Sequence, residues 1–103
     1  MKLLVVDDER DIQFLFQQKF RKEIKAGVMQ IRYAFNGNAA LELIESIEDK
    51  TDHLILTDIN MPEMNGIELL RTIKKKYPDL KVFMITAYGD EHNLSMAKTL
   101  GAD

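Results

Sequence analysis

Hydrophobic positions fall into two kinds of run that alternate along the whole chain. Leu3-Leu4-Val5-Val6 is a short apolar run that stops at Asp7-Asp8, as a buried strand does. Ile12, Leu15, Phe16, Phe20 and Ile24 then recur at helical spacing, predicting one helix that starts near Asp8 or Asp11 and has Gly27 as its C-cap. Val28 to Phe35 alternates as a strand near a sheet edge does, and Asn36-Gly37 breaks it. From about Asn38 a second helix presents Ala40, Leu41, Ile44 and Ile47 on one stripe, with Glu42, Glu45, Glu48 and Asp49 on the wet side. Leu54-Ile55-Leu56 has no polar alternation and reads as a strand buried on both faces that ends at Asp58. A third helix follows with Ile67, Leu70, Ile73 and Tyr77, stopped by Tyr77-Pro78. Lys81 to Ile85 is a fourth strand ending at Thr86, and Leu94, Ala97 and Leu100 line a last helix that closes at Gly101. Phe14, Leu43 and Leu69 lie off these stripes and read as secondary packing positions. Four rounds of strand and helix call for an α/β fold, a mostly parallel sheet with helices on both faces and right-handed crossovers.

That architecture brings distant residues together. Parallel strands share a direction, so Asp7, Asp8, Asp58 and Thr86 all emerge on one rim of the sheet, where open α/β folds bind ligands. If the first and third strands are neighbours, three carboxylates converge, and like charges raise the pKa of at least one of them unless a cation intervenes. Only oxygen ligands are on offer, which favours Mg2+. The turn-rich loop from Asn60 through Met61-Pro62 to Asn65-Gly66 follows Asp58 and is suited to holding a shape. Taken singly, these residues read as a cap, a loop acid, a β-favouring threonine and a turn. Their joint placement at carboxyl ends of strands favours a site. His53 and His92 lie off that rim and read as ordinary structural histidines.

Composition narrows the function classes. At 103 residues, 46% hydrophobic and 30% charged, the chain is sized for a single globular domain. No apolar run approaches the ~20 residues of a membrane-spanning helix. Asp7-Asp8-Glu9 interrupts any signal-like N-terminus, which points to a cytoplasmic setting. With no cysteine, disulfides, thiolate zinc sites and thiol catalysis are excluded together. A net charge of −3 argues against nucleic acid as a direct partner. Lys74-Lys75-Lys76 reads as a solvated helix end favoured by the helix dipole.

VVDDE at Val5 to Glu9, TDINMPEMNG at Thr57 to Gly66, and ITA at Ile85 to Ala87 resemble the receiver domain of two-component response regulators. The resemblance runs from the first strand to Gly101-Ala102-Asp103, with the motifs in order. It implies a flavodoxin-like doubly wound sheet with strand order 2-1-3-4. It also implies that Asp58 accepts a phosphoryl group from a histidine kinase or phosphotransfer protein. Asp7, Asp8, Asp58 and the backbone carbonyl of Asn60 would hold Mg2+, and Thr86 would be the switch hydroxyl that turns toward the new phosphate. Ala87 would leave room over the site, and Tyr88 would join a partner surface.

Family members continue into a fifth strand bearing a lysine and a fifth helix, so residues 1–103 read as a receiver domain that stops short of both. Val82, Phe83 and Ile85 are then expected on an unpaired edge strand, with part of the Phe-rich side of the first helix uncovered. Such surfaces favour self-association or segment exchange between copies. Two other readings compete with the phosphoacceptor: a degenerate receiver that docks proteins without being phosphorylated, and a Mg2+ phosphohydrolase with Asp58 as nucleophile. Asn60 counts against the hydrolase, because such enzymes commonly place a second acid there.

Overall fold

A computed structural model of the chain describes residues 1–58 and 64–85, with Ile85 represented by its backbone alone. Four strands form one sheet in the order β2-β1-β3-β4: β1 Lys2–Val6, β2 Gln30–Ala34, β3 His53–Asp58 and β4 Lys81–Ile85. Every pairing is parallel, and the register sets Val6 opposite both Ala34 and Thr57, and Asp58 opposite Ile85. The flavodoxin-like order implied by the resemblance is the one observed. The last helix read from Leu94, Ala97 and Leu100, its stop at Gly101, and Ala87, Tyr88 and His92 lie outside the described residues.

Side-chain alternation along the strands builds the core. Leu4, Val6, Ile55 and Val82 join Ala40 and Ile44 of α3 (Gly37–Ser46) and Ile67, Leu69, Leu70 and Ile73 of α4 (Gly66–Lys76) in one buried cluster. Both helices begin on asparagine caps. Asn36 Oδ1 accepts from the Ala39 N–H at 2.7 Å, and Asn65 Oδ1 accepts from the Glu68 N–H at 2.9 Å. Gly37 therefore opens α3 one residue before the expected start and does not merely break β2. The lysines of the last turn of α4 are tied down in part: Lys74 Nζ donates to the Leu80 carbonyl at 2.7 Å, and Lys76 pairs with Glu45 at 3.0 Å.

Several sequence expectations are corrected. The single helix over Ile12 to Ile24 is two, α1 Asp11–Lys19 and α2 Arg21–Lys25, parted at Phe20 with φ −107° and ψ 23°. The hydrophobic period runs straight through that break, because one residue leaving helical ψ does not disturb the spacing of its neighbours. The expected start is kept at Asp11, the first residue of α1, where its charge suits the dipole, whereas Asp8 lies outside the helix and Arg10 occupies the cap position without a side-chain bond. Gly27 does end the segment, at φ 78°.

Burial is uneven across the sheet. β3 is not buried on both faces: Ile55 and Thr57 are fully enclosed beneath α3 and α4, whereas Leu54 and Leu56 on the other face are half-buried. Val82 is likewise enclosed although β4 ends the described sheet, and only Phe83 of that pair is exposed. Of the off-stripe positions, Leu69 is full core and Leu43 packs against it, but Phe14 remains 62% exposed.

Gly37 is also a tight contact. A Cβ added there would stand 2.8 Å from Met64 Sδ and 2.9 Å from Met64 Cβ and Cγ. Gly37→Ala gains roughly 0.5–1 kcal/mol of backbone entropy, but overpacking of this kind costs roughly 1–3 kcal/mol. We expect the overlap to win, with a net loss of about 1 kcal/mol by urea unfolding. Adding Met64→Ala to the variant should restore part of it; an unchanged midpoint in Gly37→Ala would show that Met64 moves aside freely.

Candidate functional site

Three strand ends deliver the acids. β1 runs out at Val6, and the Asp7 N–H continues the ladder by donating to the Ala34 carbonyl at 3.1 Å, so Asp7 is held at the rim by the sheet itself. Its carboxylate Oδ1 accepts from the Glu9 N–H at 2.9 Å, closing the turn that leads into α1. Arg10 braces the same turn against the end of β2, with its guanidinium 4.3 Å from the centroid of the Phe35 ring. β3 delivers Asp58 as its last residue. Beneath it Thr57 is fully buried, with its hydroxyl donating to the Asp58 carbonyl at 3.1 Å.

Asp7, Asp8 and Asp58 meet. Each offers a carboxylate oxygen, and the three atoms lie within 4.8 Å of one another. Asp7 is buried, Asp58 is half-buried and Asp8 is exposed, so the cluster opens outward through Asp8. Burial pushes the Asp7 carboxyl above its ordinary range; the Glu9 N–H works against that, and the neighbouring charge of Asp8 adds to it. The sheet has thus placed a poorly solvated carboxylate beside two others.

The donor set fits a hard dication. Ligand oxygens about 2.1 Å from Mg2+ stand about 2.9 Å apart when adjacent and about 4.2 Å when opposite, so the triad is at or near ligating separation. A divalent cation would offset both the desolvation and the mutual repulsion of the acids. Asn60 and Thr86, the other expected members of the site, lie outside the described residues, as do Met61 and Pro62. Asn65 and Gly66, at the far end of that loop, cap and open α4. His53 stands at the start of β3, on the opposite rim, as expected.

The sequence pattern did not single out the Glu9 N–H, Arg10 with Phe35, or Gly37 with Met64. The last two join residues whose proximity exists only once the chain has folded, whereas the Glu9 N–H meets Asp7 two residues away in a local turn. An arginine two residues beyond an acid pair was also a visible signal.

Comparison with known proteins agrees with this geometry. Residues 3–103 match the model of the response regulator receiver domain. The chain is 36% identical over 101 residues to sporulation initiation phosphotransferase F of Bacillus subtilis, covering 98% of this chain and 76% of that protein. It is 34% identical over 101 residues to response regulator SaeR of Staphylococcus aureus, covering 98% of this chain but only 41% of the relative's length. Among solved structures it resembles response regulator protein TrrA of Thermotoga maritima in complex with Mg2+-BeF, with a TM-score of 0.79 and 32% identity, covering 99% of this chain and 81% of that one. With the family model spanning nearly the whole chain and the parallel sheet in the family's order, this protein belongs to the response regulator receiver domains.

Proposed function

We propose that Asp58 accepts a phosphoryl group from a phosphohistidine of a histidine kinase or phosphotransfer protein, in a Mg2+-dependent reaction in the cytoplasm, and that the charged product switches a partner or output domain. The observation that supports this reading most directly is the meeting of Asp7, Asp8 and Asp58 at one rim. An Asp58 carboxylate oxygen attacks phosphorus as the phosphorus–nitrogen bond breaks, and the departing imidazole keeps the bond electrons and takes up a proton. Phosphoryl transfer passes through a loose transition state, so placement and charge neutralisation matter more than a strong base.

The chain's own residues supply the placement. The ladder bond from Asp7 to Ala34 and the turn bond from Glu9 hold Asp7 against Asp58, and the buried Thr57 fixes the strand beneath the acceptor. Asp7, Asp8, Asp58 and the backbone carbonyl of Asn60 would hold Mg2+, which when bound neutralises charge on the acids and on the incoming phosphoryl oxygens. Thr86 is assigned the switch hydroxyl from its place in the ITA motif. The protein acts on itself and turns over no small substrate. No described helix is long and apolar enough to cross a membrane.

Incubation with acetyl phosphate tests this reading. A single hydroxylamine-labile phosphoryl group should appear with Mg2+, vanish with EDTA, and map to the peptide carrying Asp58. Labelling that ignores the chelator would remove the metal from the scheme. A chain that takes no label with Mg2+ present would favour the docking module.

Self-association belongs to the same proposal, because Phe14 and Leu15 are 62% and 58% exposed and Phe83 is exposed on the last described strand. Sedimentation equilibrium should show a mass that rises with concentration; a monomer throughout would contradict it.

A further inference from the structure

The rim opposite the acids carries a cavity that phosphoryl transfer does not use. It has a volume of ≈ 380 Å³ and sits where β3 and β4 begin, between the α3–β3 connection and the end of α4. That size lies within the roughly 300–1,000 Å³ of small-molecule clefts. Its walls are of two kinds. Tyr77, Pro78 and Leu80 provide apolar surface, while Lys50, Lys81 and Asp79 give the lining a net positive charge.

Lys50 is already positioned. Its Nζ donates to the Ile47 carbonyl at 2.6 Å and stands 4.6 Å from the centroid of the Tyr77 ring. An ammonium carries three donors, so protons remain for a ligand beside an aromatic face. His53 lines the same cavity, and its Nδ1 is shut off from solvent with no hydrogen-bond partner among the described residues. Burial holds its pKa below the ordinary histidine value, so the ring is neutral at physiological pH and one nitrogen is an acceptor.

We propose that this cavity binds a small aromatic carboxylate, with its ring against Tyr77, Pro78 and Leu80, its carboxylate between Lys50 and Lys81, and a ring hydroxyl donating to His53. The apolar wall selects against a bare inorganic anion, and the two lysines select against a neutral ring. The proposal does not depend on phosphoryl acceptance at the far rim.

Titration of the full chain with 4-hydroxybenzoate, followed by 15N–1H NMR, tests it, with inorganic phosphate and phenol as separate arms. Saturable shifts should centre on the amides of Thr51, His53, Leu80 and Lys81, and neither control should saturate. Lys81→Gln, at an exposed position, should weaken binding about tenfold, the loss of one charge-assisted hydrogen bond. Lys75→Gln, equally exposed but outside the lining, should leave the affinity unchanged. Shifts that never saturate or that centre elsewhere, phosphate binding as well as the aromatic acid, or full affinity in Lys81→Gln would each overturn the assignment.

Discussion

Asp58→Asn is expected to abolish labelling by acetyl phosphate in Mg2+, down to background. The amide has nearly the shape of the carboxylate, so the half-buried end of β3 should keep its place. What changes is chemistry. An amide oxygen is a poor nucleophile toward phosphorus, and the acid cluster falls from three carboxylates to two, which weakens its hold on a dication. Circular dichroism and urea unfolding should show a folded variant, separating loss of the acceptor from loss of the fold. Undiminished labelling in the folded variant would move the acceptor to another residue, with Asp7 and Asp8 the first to examine.

Asp7→Asn should have two opposite effects on stability. The carboxyl of Asp7 is raised above its ordinary 3.8, chiefly by burial, so it binds its proton more tightly folded than unfolded. A group raised in this way lends its full stabilising contribution below the unfolded value, and the contribution is lost as pH rises through the folded one. At neutral pH without metal, ionised Asp7 therefore works against the fold. Asparagine keeps an oxygen for the Glu9 N–H and carries no charge, so the metal-free variant should resist urea better than the parent at pH 7, with the advantage disappearing at acid pH.

Magnesium should reverse that order. A ligand that binds only the folded state at a hundred times its Kd adds about 2.7 kcal/mol, and Asp7→Asn should lose most of that gain. Its labelling rate should fall about a hundredfold, corresponding to about 2.7 kcal/mol of lost charge stabilisation in the transition state. Urea midpoints with and without Mg2+, read at neutral and acid pH, measure the stability effects together. A variant that is weaker than the parent without metal at neutral pH, or that keeps the full Mg2+ effect, would contradict the assignment of Asp7.

The elements that could be read along the chain are those whose signal is local and repeated. The β1 and β3 runs and the stripes of α3 and α4 each rest on several residues that agree, whereas Asn36 and Asn65, read as a strand break and a turn, are helix caps in the structure. The break at Phe20 rests on a single ψ angle inside an unbroken period, and nothing in residue spacing reports it. Burial was legible only in part. Leu69 and Phe14 are both apolar and both off-stripe, yet one is enclosed between helix and sheet and the other is 62% exposed.

Residue order alone determined the alternation of strand and helix, the parallel sheet, and the delivery of Asp7, Asp8 and Asp58 to the carboxyl ends of strands, because hydrophobic period and chain direction are carried by neighbours. Tertiary structure decided which acid is desolvated, how close the three oxygens come, that Met64 needs a glycine at 37, and that a cavity opens around His53 and Tyr77. Those facts depend on packing between segments tens of residues apart, where tenths of an ångström and the exclusion of water set the energies, and no local pattern encodes such distances.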